Sequence, residues 1–301
     1  MSTFPFQHLV FKGGGVKGIA YVGAMKALEE ANISSQISGF AGTSAGSIVA
    51  ALGACRISSD TLNTFLASTN YENFKDKGNI LNFLTDLAKK FGLYEGEYFL
   101  DSWFKVFLQQ QGINPAITFQ EVYAKFGTTL KVFSTDLNTQ KIQEFSITTT
   151  PNVQIAMAVR ASMSIPLFFR AWQFPDSIPN NHIFVDGGVM YNYPIDCFDS
   201  PTTSPQSTLG FFLTDLHNVS PPNGLTYGID YLETYIKSLF EALLNSQDLM
   251  IQKNLYEDKR TIQIDDLGIS ATDFNITPQQ VQALYHSGYT STQTFLQAFL
   301  G

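Results

Sequence analysis

The period of the apolar positions changes several times along the chain, and each change marks an element. His8-Leu-Val-Phe11 is a short apolar run that stops at a glycine cluster, the pattern of a buried strand. From Gly18 to Ala31 the small and apolar positions Ile19, Val22, Ala24, Met25 and Leu28 recur at helical spacing. Ile37 to Ala41 reads as a second short strand and Ser44 to Gly53 as a second, largely buried helix. A β-α-β-α start predicts a mostly parallel sheet, because parallel neighbours need crossover helices that then cover the sheet.

Residues 58–115 read as mainly helical. Within them Ile80, Leu81, Phe83, Leu84, Leu87 and Phe91 form an apolar helix face opposite Asp86, Lys89 and Lys90, followed by Trp103, Phe104 and Phe107. That stripe reads either as ordinary core packing or as a lid or lipid-facing surface. Strands are expected at 130–134 and 143–146 around a turn at Asn138, at 183–185, at 209–213 and at 261–264. Helices are expected at 153–161 and 229–255, and Thr277 with Pro278 begins a last one. The Ser-, Thr- and Pro-rich stretch 199–208 is a surface loop. Short polar connections and the lack of a long linker predict one α/β domain spanning 1–301, with a helical insertion near 58–115.

Composition narrows the function. The 301 residues are 44% hydrophobic but only 15% charged, with 26 Phe and 13 Tyr, which fits a Phe-rich core or a protein that meets lipid. The net charge of −8 and the lack of any Lys/Arg block argue against nucleic acid and against electrostatic docking on anionic membranes. Any membrane contact must therefore be apolar and peripheral, since no run of about 18 apolar residues is present. No Sec signal peptide is visible in Met1 to Val10. With Cys55 and Cys197 the only thiols, a cytoplasmic location is expected, or export without such a signal. No His, Cys and carboxylate spacing resembles a metal site and no calcium loop is present, so neither metal nor cofactor is expected.

Three motifs carry candidate chemistry. Gly42-Thr43-Ser44-Ala45-Gly46 lies between a strand and a helix. There a G-x-S-x-G turn forces the serine into a sharp elbow with its hydroxyl exposed at a helix N-terminus. Alone it reads equally as a plain glycine turn. Gly13-Gly14-Gly15-Val16-Lys17-Gly18 presents backbone N–H groups to an anion. It lacks the Lys-Ser/Thr pair of a phosphate loop, and no acidic residue ends the second strand, so an oxyanion hole is the better reading than a nucleotide site. Asp186-Gly187-Gly188 places a carboxylate at a strand end, or else is an ordinary Asp-Gly turn.

Together these motifs resemble the patatin-like phospholipase family, and the resemblance covers most of the chain. Arg160-Ala-Ser-Met-Ser-Ile-Pro-Leu-Phe168, Ser134-Thr-Asp-Leu-Asn138 and Asn192-Tyr-Pro194 are also similar to family segments. The resemblance implies a three-layer α/β fold, with helices on both faces of a mostly parallel sheet. It implies a Ser–Asp dyad, with Ser44 as nucleophile and Asp186 as base. The glycine loop would supply the oxyanion hole, through the N–H groups of Gly14, Gly15 and Val16. Lys17 stands where the family often has Arg, keeping the charge but losing the fork geometry. The implied substrate is a phospholipid or lysophospholipid, with or without a protein activator. Among four histidines, His217 is the candidate for a rival Ser-Asp-His triad, because it follows a strand and Asp215; His8, His182 and His286 need no role.

Overall fold

The computed structural model describes residues 4–76, 89–177, 179–216, 231–255 and 259–300, giving the backbone alone for 249–255. Among these residues the strands are β1 (His8–Phe11), β2 (Gly39–Thr43), β3 (Gly92–Tyr94), β4 (Thr129–Asp136), β5 (Lys141–Ser146), β6 (Leu167–Phe169), β7 (Phe184–Asp186), β8 (Thr208–Thr214) and β9 (Thr261–Asp265). The α-helices used below are α1 (Ala20–Glu30), α2 (Ala45–Ala54), α3 (Ser59–Ala67), α4 (Lys105–Gln110), α5 (Phe119–Phe126), α6 (Ile155–Ser162), α7 (Leu232–Leu255) and α8 (Pro278–Leu300).

Seven strands form the central sheet in the order β5-β4-β2-β1-β8-β9, with β7 also paired to β4. The run β4-β2-β1-β8-β9 is parallel throughout, as the β-α-β-α start requires. β5 and β7 are antiparallel to β4. The period of two sends alternate side chains to opposite faces. Leu9, Phe11, Phe40, Val132 and Phe211 join the large core cluster that also holds the apolar sides of α1, α2 and α6. Val10, Ala41, Phe133 and Phe212 form a smaller cluster on the other face with Tyr193. Helix α7 reaches that side, where Asp248 pairs with Lys12, whose ammonium lies 4.2 Å from the Phe212 ring centre. The result is a mixed central sheet with helices on both faces.

Helix ends follow the sequence signals. Thr277 and Gln280 form a reciprocal cap on α8: the Gln280 N–H donates to Thr277 Oγ1 at 3.2 Å, and the Thr277 N–H to Gln280 Oε1 at 2.9 Å. Two expectations change within 58–115. Gly92–Tyr94 is a strand, paired in parallel with β6. Phe91 leaves the expected apolar stripe, with a left-handed backbone (φ 58°) and a half-exposed ring. The other five apolar members of that stripe lie outside the described residues. Trp103, Phe104 and Phe107 are buried, and they pack within the protein rather than forming an exposed surface.

Candidate active site

The pairing of β4 brings the second and third motifs together. β2 runs parallel to β4 and ends with Thr43 opposite Phe133. β7 runs antiparallel along the same β4 edge and ends with Asp186 opposite Ser134, the next residue. Two strand ends therefore meet head-on beside one peptide of β4. The Ser44 hydroxyl donates to Asp186 Oδ2 at 2.7 Å.

Ser44 adopts φ 52° and ψ −127°, a conformation few side chains tolerate. Its surroundings hold it there. The Ser44 N–H donates to Ser162 Oγ at 2.8 Å, and the Ser162 hydroxyl donates to Phe133 O at 2.5 Å. The Ser47 hydroxyl donates to Ser44 O at 2.6 Å. The elbow also needs close backbone approach: a β-carbon on Gly46 would stand 2.3 Å from Phe11 O, and one on Gly42 2.3 Å from Gly46 O.

Asp186 is fully buried. Its N–H donates to Ser164 O at 2.8 Å, and the Gly188 N–H donates to its Oδ1 at 2.7 Å. Burial pushes the carboxyl up to about 7, against the opposing hydrogen bonds from Ser44 and Gly188. The Arg160–Phe168 segment thus supports both partners, Ser44 through Ser162 and Asp186 through Ser164. Arg160 anchors that segment from below, donating to Ser164 Oγ at 2.6 Å and to the carbonyls of Glu95, Gly96 and Arg170. The roles of Ser162 and Ser164 are not visible in the sequence, where they are two serines in an apolar segment.

The glycine loop lies beside this pair, in a short turn of 3-10 helix from Gly15 to Ile19. Three of its N–H groups already have acceptors: Gly13 donates to Asn192 O at 2.9 Å, Val16 to Ala271 O at 3.0 Å and Lys17 to Gly14 O at 3.2 Å. Among the described residues the donors remaining at the loop's start are Gly14 and Gly15, and Gly15 borders the same cavity as Ser44. Val16, an expected oxyanion donor, is thereby engaged elsewhere. Gly15 needs its φ of +57°, and a β-carbon there would stand 1.8 Å from Ala271 O. Gly18 lets the loop pack on Ala45.

Neither flanking lysine offers a free charge. Lys17 pairs with Asp266 at 2.8 Å; burial disfavours its charge, but Asp266 and Glu241 outweigh this and raise its pKa. Lys12 is buried, donates to Leu213 O at 2.8 Å and pairs with Asp248; burial lowers its pKa despite that partner. Neither lysine is therefore free to neutralise a phosphate beside the loop. Asp266 also groups with Asp215 and Asp265, with ligand oxygens within 4.8 Å of one another, a clustering that residue spacing does not foretell.

Ser44 opens into a narrow cavity of about 70 Å³, whose walls include Ile48, Leu66, Phe74, Trp103, Met163 and Phe169. An apolar slot ending on a hydroxyl suits a hydrocarbon chain with one polar group at its end. Of the histidines, His8 stacks on Phe198, His182 pairs with Asp136 at 2.7 Å and His286 is exposed on α8. His217 lies outside the described residues.

A family model for patatin-like phospholipase matches residues 9–199. The chain is 28% identical over 303 residues to the uncharacterized protein YqhO of Bacillus subtilis, covering 96% of this chain and 97% of that one. It is 29% identical over 192 residues to the probable lipid hydrolase 463L of Invertebrate iridescent virus 6, covering 64% of this chain and 62% of that protein. Among solved structures, VipD of Legionella pneumophila superposes with a TM-score of 0.64 at 16% identity, over 98% of this chain and 67% of VipD. ExoU of Pseudomonas aeruginosa gives 0.52 at 18% identity, over 98% of this chain and 54% of ExoU. These two likenesses show the fold. The matched residues take in most of the glycine loop's strand, the serine elbow and the Asp-Gly-Gly turn, and the chain belongs to the patatin-like phospholipase family, with the general activity of a lipid acyl hydrolase.

Proposed function

We propose that the chain is a phospholipase A or lysophospholipase that cleaves fatty-acyl esters through an acyl-enzyme on Ser44. One observation carries the reading: the Ser44 hydroxyl, on a strained elbow at the mouth of an apolar cavity, donates to a buried carboxylate raised to about 7. An aspartate with an ordinary pKa is a poor base at neutral pH, whereas one near 7 accepts a proton effectively while still ionised in part. The acyl chain fills the cavity and Ser44 Oγ attacks the ester carbonyl as its proton passes to Asp186. The tetrahedral oxygen is met by the N–H groups of Gly14 and Gly15 and by the N-terminal end of α2, donors worth about 3–4 kcal/mol each where placed well. Asp186 returns the proton to the departing alcohol, and water then frees the fatty acid.

The lipid is met from the side, as a peripheral contact. Among the described residues no helix is long and apolar enough to cross a membrane. Leu216 and Leu267 are exposed just past the carboxyl ends of β8 and β9, the sheet edge that carries Ser44. The test uses mixed membrane lipids with the wild type and Ser44→Ala. Fatty acid and lysolipid are expected from the wild type alone, and a fluorophosphonate should label Ser44 in the folded protein. Equal products from the two proteins would sink the proposal.

A further inference from the structure

A second cavity lies at the other end of α2 from Ser44. Its volume is about 270 Å³, against about 70 Å³ beside Ser44. Ser44 immediately precedes α2, and Gly53 near the helix C-terminus borders this cavity, so about 15 Å of helix separates the two. The floor is apolar: Leu9 of β1, Met25 and Leu28 of α1, Phe40 of β2 and Ile57 all line it, and all are buried. Folded interiors contain few voids larger than a water, and this one has room for about nine. Apolar walls offer water no partners, so they suit a hydrocarbon group better.

The solvent side of the cavity carries a cation. Arg56 lines the cavity and is exposed. It follows the C-cap of α2 with φ 59°, a position where glycine is the usual residue. Its guanidinium donates to Ser34 O at 3.1 Å and to Ile37 O at 2.8 Å, which fixes it at the rim. These bonds use two of the five guanidinium N–H groups. Among the described residues no carboxylate pairs with Arg56, and the burial that lowers its pKa is opposed by no acid. Glu29 also borders the cavity, but both its oxygens are engaged by Ser59, Oε1 by the N–H at 2.8 Å and Oε2 by the hydroxyl.

We infer that this cavity binds a medium-chain carboxylate, with the hydrocarbon chain on the apolar floor and the carboxylate on Arg56. A neutral amphiphile would leave the cation unpaired, and a small anion would leave the floor uncovered. A fixed guanidinium with free N–H groups presents the planar fork that a carboxylate matches. Binding there is independent of Ser44. A fatty acid is also what hydrolysis at Ser44 would release, so on the reading above the second cavity accepts the enzyme's own class of product.

Decanoate is the probe, with titration calorimetry for affinity and hydrogen exchange for location. The wild type should bind it with exchange slowed in residues 34–37 and 53–58. 1-Decanol should bind about tenfold more weakly or worse, because it cannot pair with a guanidinium. From hexanoate to octanoate the affinity should rise about fourfold per methylene. Arg56→Gln should cost about tenfold, and Arg56→Lys should recover part of that by keeping the charge. Ile48→Trp, which narrows the cavity beside Ser44, should bind decanoate as the wild type does. Equal binding of acid and alcohol, unchanged binding by Arg56→Gln, loss of binding in Ile48→Trp, or no binding at all overturns the inference. If Arg56→Gln does not fold, the comparison of acid with alcohol on the wild type decides. A wild type that binds decanoate at Arg56 but takes no fluorophosphonate on Ser44 keeps this site and loses the Ser44 reading.

Discussion

Lowering the pH from 8 to 5 should reduce kcat/KM by about 100-fold, through one group. Burial moves the Asp186 carboxyl from its ordinary 3.8 to about 7, and only the ionised form accepts the Ser44 proton. About a tenth of the molecules are then competent at pH 6 and about a hundredth at pH 5. Initial rates on p-nitrophenyl butyrate, read at the isosbestic wavelength, give the profile without a titrating substrate. A slope of one below neutrality is expected. A histidine base would titrate in the same range, so the profile is repeated at two temperatures: carboxyl ionisation hardly responds to warming, whereas an imidazolium loses its proton more readily. A profile flat down to pH 5 would refute a raised Asp186.

The same displacement has a consequence for stability that needs no catalysis. The folded carboxyl titrates above its unfolded value of about 3.9. Its stabilising, protonated contribution is therefore complete below about pH 4 and is lost as pH rises through about 7. Three pH units correspond to on the order of 4 kcal/mol. Asp186→Asn places a neutral amide in the same space and escapes this loss. Its stability relative to the wild type should rise between pH 4 and pH 8 by up to that amount, measured by urea unfolding across the range. A difference that stays constant with pH would mean that the carboxylate is not destabilised where it sits.

Ser162→Ala removes the acceptor of the Ser44 N–H and the donor to Phe133 O. It should lower the unfolding free energy by about 1–3 kcal/mol and slow phosphonate labelling of Ser44; an unchanged labelling rate would count against its holding the elbow. Gly15→Ala drives a β-carbon toward Ala271 O at a positive φ, so both Tm and labelling should collapse together, as scanning calorimetry and a gel assay would reveal. Ile48→Trp narrows the cavity beside Ser44 and should shift the ratio of butyrate to palmitate ester turnover toward the short chain, by about tenfold. An unchanged ratio would place the acyl chain elsewhere.

The parts legible in the sequence are those that a few adjacent residues encode. The glycine loop, the serine elbow and the Asp-Gly-Gly turn each announce a strand end, because glycine is needed wherever backbone meets backbone. The parallel sheet follows from strands alternating with helices in the first 50 residues. What local pattern does not encode is which ends meet. Asp186-Gly-Gly188 alone is a turn; it becomes a partner for Ser44 because β2 and β7 share one edge of β4 and stop at consecutive residues, Phe133 and Ser134. The loss of Val16 as an oxyanion donor likewise depends on Ala271, more than 250 residues away in the chain. β3 was hidden because a three-residue strand paired with another three-residue strand has no period to read. The basicity of Asp186 belongs with these long-range properties. An aspartate's ordinary value is fixed by its own chemistry, but the displacement to about 7 comes from desolvation by everything packed around it. The motif therefore identifies the residue, while the fold sets the proton affinity that the proposed Ser44–Asp186 mechanism draws on.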